Sequence, residues 1–439
     1  MSRELTVLIV SYFFPPDSEV GGKRMARFCR YLPASGVRPV VLTVREEYAA
    51  KRDTSFAIPA GLQVERTSAG TNPLKWYGKW KRQLSPSSAA QGNGQEVTPG
   101  RPGYLRRNLL ASLQTPDKFW PWYWPAVRAG CDLFKKQSFD LVFSSGPPWT
   151  SHLVARKLKS EYKTPWIADF RDAWVSDTWR EAVPPWRDRV DRYFERECVA
   201  DADLVVATTD ALRDTFIRGY SSTPRSKFAT LTNGFDDPPV LLGATQQSTS
   251  GKKVLLHLGD LYAGRRIDTF CAAMADLVNS GTLNPDGFKV LLIGNNDAEI
   301  VSQAEARIPE LMRRGTLEFR AQVSWLEAQK LLDSADVLLI FQGDHRLAVP
   351  AKTYEYLQTG KPILALVQQG ALSELLESTG SGFWAPPEDA RQIAGRLMRA
   401  MATPRRSPAE TERVVGRYHY RNLSAQLAGW VRELATNKS

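Results

Sequence analysis

Lys352 and Glu355 stand three residues apart in a stretch that predicts a helix followed by a buried strand. Pro350 suits the first helical turn, where its missing N–H would have no partner in any case, and Gly360 suits the helix end. A cation in the first turn opposes the helix dipole, which favours a bound anion such as phosphate. A carboxylate one turn later can accept two hydrogen bonds from a vicinal diol such as ribose. The alternative is a plain i, i+3 ion pair between the two side chains.

A second pair of cations, Arg265 and Arg266, precedes another predicted helix. The apolar run Val254–Leu258 predicts a strand that ends at Gly259. Guanidinium groups bind phosphate through paired hydrogen bonds, so this loop is a candidate phosphate site, with a solvated loop as the alternative. Taken with Lys352 and its neighbouring carboxylate, these cations predict a nucleoside diphosphate site in the second half of the chain.

Three further loops carry candidate residues at predicted strand ends. Gly21 and Gly22 precede a helix and could present backbone N–H groups to an anion or a sugar, although a turn with positive φ explains them equally well. His152 lies at a helix start, where it could bond a sugar hydroxyl or complete local structure. Asp169 and Asp172 could face an acceptor hydroxyl or form an ion network that holds their own loop. The glycines do not form G-x-G-x-x-G, so no nicotinamide site is predicted.

The elements that must position these residues alternate along most of the chain. Uniformly apolar strand-like runs separated by helical stretches predict an α/β fold with parallel sheets covered on both faces. The pattern breaks at the polar stretch 238–252 and then restarts. We therefore predict an N-terminal domain at 1–237 and a C-terminal domain at 252–405, each doubly wound and Rossmann-like. A helical segment follows at 406–439.

Bulk composition limits the class of protein. A chain of 439 residues with 43% hydrophobic and 24% charged residues is typical of a multidomain globular enzyme. The net charge of +11 favours an anionic partner, but the basic residues are dispersed and no nucleic-acid motif occurs, so nucleic acid is not expected. Four cysteines without a close C-x-x-C pair argue against a zinc site or a disulfide framework. No 18-residue apolar run and no signal-peptide cleavage site occur, so a cytoplasmic protein is expected.

One segment differs from the alternating pattern. Residues 84–103 are small, polar and rich in Pro and Gly, which predicts a mobile loop. The preceding segment 74–84 places Trp76 and Trp80 on one helical face with basic residues elsewhere. This pattern is typical of a helix on an anionic membrane surface, and the alternative is an insertion that packs its rings on the domain. The aromatic cluster at 117–130 could join that surface or belong to the core.

The order and spacing of these motifs resemble the GT-B glycosyltransferases, specifically the retaining family 4 and a subgroup of bacterial polysaccharide assembly. The resemblance rests on SYFFPP with the paired glycines, PWIADFRDAW, TNGFD, HLGDLYAGR and VPAKTYEYLQTGKPIL, and it spans nearly the whole chain. It implies two Rossmann-like domains facing across a cleft, with the C-terminal helix crossing back to the N-terminal, acceptor-binding domain. It also implies sugar transfer from a nucleotide-diphosphate donor to a saccharide or lipid-linked saccharide, with retention and without a metal or cofactor.

The resemblance also implies roles for individual residues. Glu355 matches the second carboxylate of the family's E-x7-E motif, which binds the ribose, while Leu347 occupies the position of the first. That first carboxylate usually contacts the sugar, so backbone N–H groups of Val349 and Ala351, or His345, are candidates to replace it.

The family's phosphate-binding cations are also partly present. Arg265 matches a lysine position, Asp260 replaces an arginine, and Lys352 is the candidate for the missing cation. Arg265, Lys352 and His152 are the predicted catalytic residues. Gly22, Gly259 and Arg266 complete the predicted donor site, and the nucleobase is expected against residues 319–325, at Val323.

Two other functions fit parts of the pattern. A sugar-nucleotide 2-epimerase can use the same fold and the same diphosphate contacts, but it requires acid–base carboxylates and leaves segment 74–84 unexplained. A non-catalytic scaffold that recruits polysaccharide enzymes to the membrane would account for Leu347 and Asp260 in place of the family's residues.

Overall fold

The computed structural model describes most of the chain, namely residues 3–49, 51–53, 58–71, 112–176, 183–237, 251–262, 265 and 267–436. The predicted loop 84–103, the basic aromatic segment 74–84 and Arg266 lie outside the described residues.

The first sheet has seven strands in the order β3-β2-β1-β4-β5-β6-β7. Parallel pairing aligns Leu8 on β1 with Val40 on β2 and with Val142 on β4. The central strands are buried on both faces, which explains their near-continuous apolar sequences. The strands are β1 (Leu5–Val10), β2 (Val37–Val44), β3 (Gln63–Thr67), β4 (Leu141–Gly146), β5 (Trp166–Phe170), β6 (Leu204–Ala207) and β7 (Phe228–Thr230).

Helices connect these strands and cover the sheet. Those of this half are α1 (Val20–Tyr31), α2 (Tyr123–Lys136), α3 (Thr150–Tyr162), α4 (Pro185–Asp201) and α5 (Asp210–Gly219). Helix α1 follows β1 and α3 follows β4, so both helices begin at the carboxyl edge of the sheet, where ligands bind in doubly wound folds.

The second sheet has six strands in the order β10-β9-β8-β11-β12-β13. β8 pairs with β9 on one side and β11 on the other, so the strand order reverses beside β8. The carboxyl end of a strand at such a switch point is the usual position of a ligand site. The strands are β8 (Lys253–Leu258), β9 (Phe288–Ile293), β10 (Leu317–Arg320), β11 (Val337–Gly343), β12 (Ile363–Val367) and β13 (Gly382–Ala385).

Nine helices of the described residues belong to this second half or follow it. They are α6 (Asp268–Asn279), α7 (Ala298–Arg307), α8 (Pro309–Arg313), α9 (Trp325–Ser334), α10 (Ala351–Leu357), α11 (Ala371–Thr379), α12 (Ala390–Ala402), α13 (Pro408–Val415) and α14 (Tyr420–Thr436). Two hydrophobic clusters, centred on Phe270 and on Tyr354, cover the faces of the sheet. Across the described residues, no helix is both long enough and apolar enough to cross a bilayer.

The chain divides into two compact units. The first contains residues 1–207, 216–229 and 425–439, and the second contains 208–215 and 230–424. The last part of α14 therefore belongs to the first unit, where Arg432 donates a hydrogen bond to the carbonyl of Ser35 at 2.5 Å. The predicted α/β class with two doubly wound parallel sheets is confirmed. The division into an acceptor-binding and a donor-binding domain stays a prediction.

Candidate functional site

The carboxyl end of β8 is the centre of the candidate site in the second unit. Gly259 follows the strand with a φ of 137°, a conformation that L side chains rarely adopt. A Cβ atom at this position would lie 2.7 Å from the Nζ atom of Lys352. The backbone conformation therefore favours glycine here, and a larger residue would also displace the ammonium of Lys352.

Lys352 lies in the first turn of α10, which begins at Ala351 as the sequence predicts. Its ammonium group donates a hydrogen bond to the carbonyl of Leu258 at 2.8 Å and lies 3.3 Å from Nε2 of His257. The side chain thus spans from α10 to the end of β8, and the i, i+3 ion-pair alternative does not account for its position. Burial, and next the positive charge of Arg265, lower the pKa of Lys352 from 10.5 to about 7.

Arg265 lies in the loop after β8 and acts electrostatically on the same ammonium group. Its guanidinium donates to the carbonyl of Asp260 at 2.6 Å and to the hydroxyl of Tyr262 at 3.0 Å. The guanidinium carbon also lies 4.3 Å from the centre of the Tyr262 ring. Two cations therefore face one region, and each raises the electrostatic cost of the other. An anion bound there would relieve that cost.

Asp260 has a structural role in this loop. Its carboxylate accepts hydrogen bonds from the backbone N–H and the side-chain amide of Asn295, at 2.9 and 3.0 Å. These bonds join the loops that follow β8 and β9. The negative charge of Asp260 also favours the charged form of Lys352 and partly offsets the effect of burial on its pKa.

The other predicted donor residues lie along the same edge of the second sheet. Glu355 is half-buried in α10, and Ala351 is its first residue. Val349 is only 7% exposed and packs in a hydrophobic cluster, so its backbone alone is available to a ligand. Val323 follows the edge strand β10, packs against that cluster and precedes α9. The structure thus brings these residues to one edge, and their roles stay predictions.

Gln342 is a residue of this edge that sequence reasoning missed. It is 3% exposed at the end of β11, and its side-chain amide donates to the carbonyls of His345 and Ala348, both at 2.8 Å. These bonds shape the loop that leads into α10. A glutamine after an apolar run carries no local signal for this role, because its partners are set by how the loop folds back.

His152, a predicted catalytic residue, is fully buried in the first unit. Its Nδ1 lies 2.8 Å from the hydroxyl of Ser144, and its ring centre lies 4.4 Å from that of Phe170. Burial, and next the charge of Arg171, lower the pKa of His152 to about 3. This position corrects the catalytic expectation and fits the alternative, in which the ring completes the local packing.

Asp169 is also buried, and it forms an ion pair with Arg24 of α1. Arg24 Nη2 donates to Oδ1 at 3.0 Å and Nε donates to Oδ2 at 3.2 Å, while Ser145 donates to Oδ2 at 2.8 Å. Asp169 is therefore not available to an acceptor hydroxyl, and the ion-network alternative describes it. Asp172 is exposed, and its role on the acceptor side stays a prediction.

Gly21 and Gly22 lie inside the first turn of α1, which begins at Val20, rather than before the helix. Neither has a positive φ, so the turn alternative is wrong. A Cβ on Gly22 would lie 3.0 Å from the backbone nitrogen of Phe14, and a Cβ on Gly21 would overlap the guanidinium of Arg171. Close packing thus explains both glycines. The N–H of Gly22 donates to the carbonyl of Glu19 at 3.0 Å, which leaves it unavailable to an anion.

Asp236, Asp237 and His419 place potential metal-binding atoms within 4.8 Å of one another in the second unit. However, Nδ1 of His419 accepts the N–H of Arg421 at 3.0 Å, so Nε2 must carry the ring proton, which it donates to Asp237 at 3.0 Å. A metal on Nε2 would require the opposite tautomer. We therefore interpret His419 and Asp237 as a hydrogen-bonded pair rather than as metal ligands.

The comparisons with known families agree with this architecture. Residues 21–234 match the family described as "Glycosyl transferase 4-like domain", and residues 252–403 match "Glycosyl transferases group 1". Each half of the chain is thus similar to a glycosyltransferase domain, and these matches support glycosyltransferase activity. A search of curated proteins found no significant match.

Solved structures with the same fold include several glycosyltransferases. Sucrose-phosphate synthase from Thermosynechococcus elongatus is 17% identical with a TM-score of 0.66, and the match covers 99% of this chain and 100% of that chain. HepE from Anabaena in complex with UDP and glucose is 15% identical with a TM-score of 0.60, covering 98% and 100%. The lipopolysaccharide outer core galactosyltransferase WaaB is 12% identical with a TM-score of 0.58, covering 99% and 100%. At these identities the likeness establishes the GT-B fold.

The buried Arg24–Asp169 pair leads to a testable prediction about stability. Replacing Asp169 with Asn removes the carboxylate that pairs with the buried guanidinium of Arg24, so we expect a loss of about 3 kcal/mol in the free energy of unfolding. The matched control, Asp132→Asn, removes an exposed carboxylate that pairs with Lys135 at 2.8 Å and should change stability by less than about 0.5 kcal/mol. Urea denaturation of both variants measures the difference. Equal stability of the two variants would contradict a structural role for Asp169.

Proposed function

We propose that this chain is a retaining glycosyltransferase of cell-surface polysaccharide synthesis. Its donor is a nucleoside diphosphate sugar bound by the second unit, and its acceptor is a saccharide or a lipid-linked saccharide. The two family matches support sugar transfer, and the similarity to HepE, solved with UDP and glucose, supports a nucleotide-sugar donor. The similarities to WaaB and to WaaG, a glycosyltransferase involved in lipopolysaccharide biosynthesis, support the polysaccharide context.

The observation that carries this proposal is the pair of cations at the switch point of the second sheet. Lys352 contacts the carbonyl of Leu258 at the end of β8, and Arg265 in the following loop acts on the same ammonium group. Neither cation pairs with a carboxylate through a hydrogen bond in the described residues, since their donors go to carbonyl, imidazole and phenol groups. A diphosphate supplies negative charge to this region beyond that of Asp260.

The same edge has room for the rest of a nucleotide. β9 lies between β8 and β10, and neighbouring strands are about 4.8 Å apart, so β10 lies about 10 Å from β8, and Val323 is in the loop that follows β10. That spacing suits a base beside Val323 when the diphosphate lies beside Lys352. Glu355, one turn into α10, is then the candidate acceptor for the ribose hydroxyls.

In the transfer step the cations stabilise the negative charge that develops on the departing diphosphate. Their positive charges provide what a divalent cation would otherwise supply, so we propose transfer without a bound metal or cofactor. Oδ1 of Asp260 accepts two hydrogen bonds from Asn295, so we assign this carboxylate a structural role rather than that of the nucleophile of a double displacement. We therefore propose transfer on one face of the sugar, with the leaving phosphate accepting the acceptor's proton.

The anomeric configuration of the product, read by NMR, tests retention.

Nucleotide binding tests the donor site directly. We expect UDP or GDP, but not both equally, to raise the thermal unfolding temperature of the full chain. Glu355→Ala should weaken binding of that nucleotide about tenfold, because the two hydrogen bonds that the ribose hydroxyls donate to the Glu355 carboxylate are lost. The control is Glu305→Ala on α7, which removes an exposed carboxylate away from the carboxyl edge and should leave affinity unchanged.

The same measurements separate the alternatives. A non-catalytic scaffold should respond to neither nucleotide. A 2-epimerase should bind the nucleotide but convert its sugar without an added acceptor. A screen of radiolabelled nucleotide sugars with a membrane extract distinguishes it from a transferase, whose label moves to the acceptor.

The depressed pKa of Lys352 predicts how donor binding depends on pH. Below about pH 7 the ammonium is already protonated, whereas above that value binding an anion must take up a proton. Affinity for a nucleotide sugar should therefore fall as pH rises from about 7, by at most about tenfold per pH unit. Lys352→Arg stays charged throughout, so its affinity should be flat from about pH 6 to about pH 8.5. Calorimetric titrations of the nucleotide sugar into both proteins across that pH range measure this difference. If the affinities of the wild type and Lys352→Arg change with pH in the same way, the prediction is contradicted.

We also propose peripheral attachment to the inner face of the cell membrane, with the basic aromatic segment 74–84 as the anchor. The net charge of +11 favours an anionic lipid surface. Trp124 on α2 is 59% exposed, so its ring could also contact that surface.

Co-sedimentation with vesicles tests this attachment and identifies the anchor. We expect the full chain to pellet with vesicles that contain anionic lipid and to stay in solution with neutral ones. A variant that lacks residues 74–103 should lose most of this binding, while Trp124→Ala should lose less. Unchanged pelleting of the deletion variant would show that the segment is not the anchor.

A further inference from the structure

His257 is a buried histidine whose two ring nitrogens have different partners. It is the penultimate residue of β8 and is fully buried. Its Nδ1 lies 2.8 Å from the carbonyl oxygen of Leu339 on the neighbouring strand β11. Because a carbonyl can only accept, Nδ1 must carry the ring proton. In the neutral ring Nε2 is then unprotonated, and it lies 3.3 Å from the ammonium of Lys352, with the backbone of Gly259 as a further neighbour of the ring.

The ring remains neutral at physiological pH. Burial, and next the charge of Lys352, lower the pKa of His257 well below 6.5. A neutral imidazole can accept a hydrogen bond from an ammonium group without cancelling its charge. A carboxylate at the same place would accept the bond but would neutralise the cation toward any anionic ligand.

Lys352 has three N–H donors, and two of them have neutral acceptors. One goes to the carbonyl of Leu258 and one to Nε2 of His257, and among the described residues no further acceptor engages the third. The charged groups that act on this ammonium are Arg265 and Asp260, both in the loop after β8. The cation is thus held from two sides while its charge is not paired through a hydrogen bond.

We propose that His257 is a positioning residue for sugar transfer: through unprotonated Nε2 it aims the Lys352 ammonium so that one N–H and the full charge meet the donor's diphosphate. This inference rests on the proposed function for the identity of the anion. The orientation of Lys352 by His257 concerns the free protein and can be measured without any nucleotide. The histidine does not touch the donor and acts only through the lysine.

Two substitutions separate the two ring nitrogens. In His257→Gln the side-chain oxygen can occupy the position of Nε2 and still accept from Lys352, but the bond to Leu339 is lost. In His257→Asn the amide can occupy the position of Nδ1 and still donate to Leu339, but the acceptor for Lys352 is lost. A purely structural role predicts that Asn is tolerated at least as well as Gln. The proposal predicts the reverse: His257→Gln should keep the pKa of Lys352 and the affinity for anionic ligands closer to the wild type than His257→Asn does.

The first readout is the pKa of Lys352 in each protein. Competitive acetylation across pH, with the peptide that contains Lys352 quantified by mass spectrometry, gives this value for the full chain. We expect His257→Gln to resemble the wild type and His257→Asn to have a pKa lower by about one unit, because the charged form has lost an acceptor. The same pKa in all three proteins overturns the proposal.

The second readout keeps the test decisive if His257→Asn does not fold. Nitrogen-15 NMR of histidine-labelled wild type distinguishes the tautomers of a neutral imidazole, and His257→Gln identifies the signal among the four histidines. We expect the proton on Nδ1 and none on Nε2. A proton on Nε2 overturns the proposal, since that atom could not then accept from Lys352.

Binding of UDP, GDP and inorganic pyrophosphate to the three proteins near pH 7.5 completes the test. We expect the nucleotide that binds the wild type to bind His257→Gln within about twofold and His257→Asn about tenfold more weakly, with pyrophosphate following the same order. Equal affinity of the wild type and His257→Asn overturns the proposal. If the pKa and tautomer are as expected but none of the three probes binds, the orientation by His257 stands, while the diphosphate role and the proposed function fail together.

Discussion

The contact of the Lys352 ammonium with the end of β8 is the interaction on which the candidate site depends. A cation held at the first turn of a helix, against the helix dipole and with a pKa lowered to about 7, is costly in the free protein. The cation lies at the switch point of the second sheet, where Gly259 leaves room for the lysine side chain. Such a charge is explained if an anion binds there during the function of the protein.

The surrounding residues keep this arrangement rigid without neutralising it. Asp260 binds Asn295 and so joins the loops after β8 and β9, while Gln342 shapes the loop before α10. In the first unit, by contrast, the buried charge of Arg24 is paired with a carboxylate. Arg24 and Asp169 form an ion pair with paired hydrogen bonds, which stabilises the junction of α1 and β5 and leaves no net charge for a ligand. The contrast distinguishes a structural ion pair from a binding site.

The candidate residues differ in how well local sequence predicted them. Lys352 and Arg265 were singled out because a cation at a predicted helix start opposes the helix dipole, which is visible in one short stretch. Glu355 was singled out as a carboxylate one turn further along the same helix. His152 and Asp169 occupy equally suggestive positions, but both are buried. Whether a polar side chain at a strand end faces a ligand or the core depends on the helices packed over it. For the same reason the glycines of α1 were misread, since their neighbours Phe14 and Arg171 come from other elements.

Apolar periodicity and helix-end signals are local properties, so the amino-acid sequence alone predicted the α/β class and the two doubly wound halves. The sequence also shows which cations lie at predicted helix starts, where the helix dipole disfavours positive charge. Only the tertiary structure decided which polar groups are partners across distant segments: His257 with Lys352, Arg24 with Asp169, and Gln342 with the loop before α10. These pairings form between residues far apart in the chain, and their energies arise from burial and geometry that exist only once the sheets have assembled.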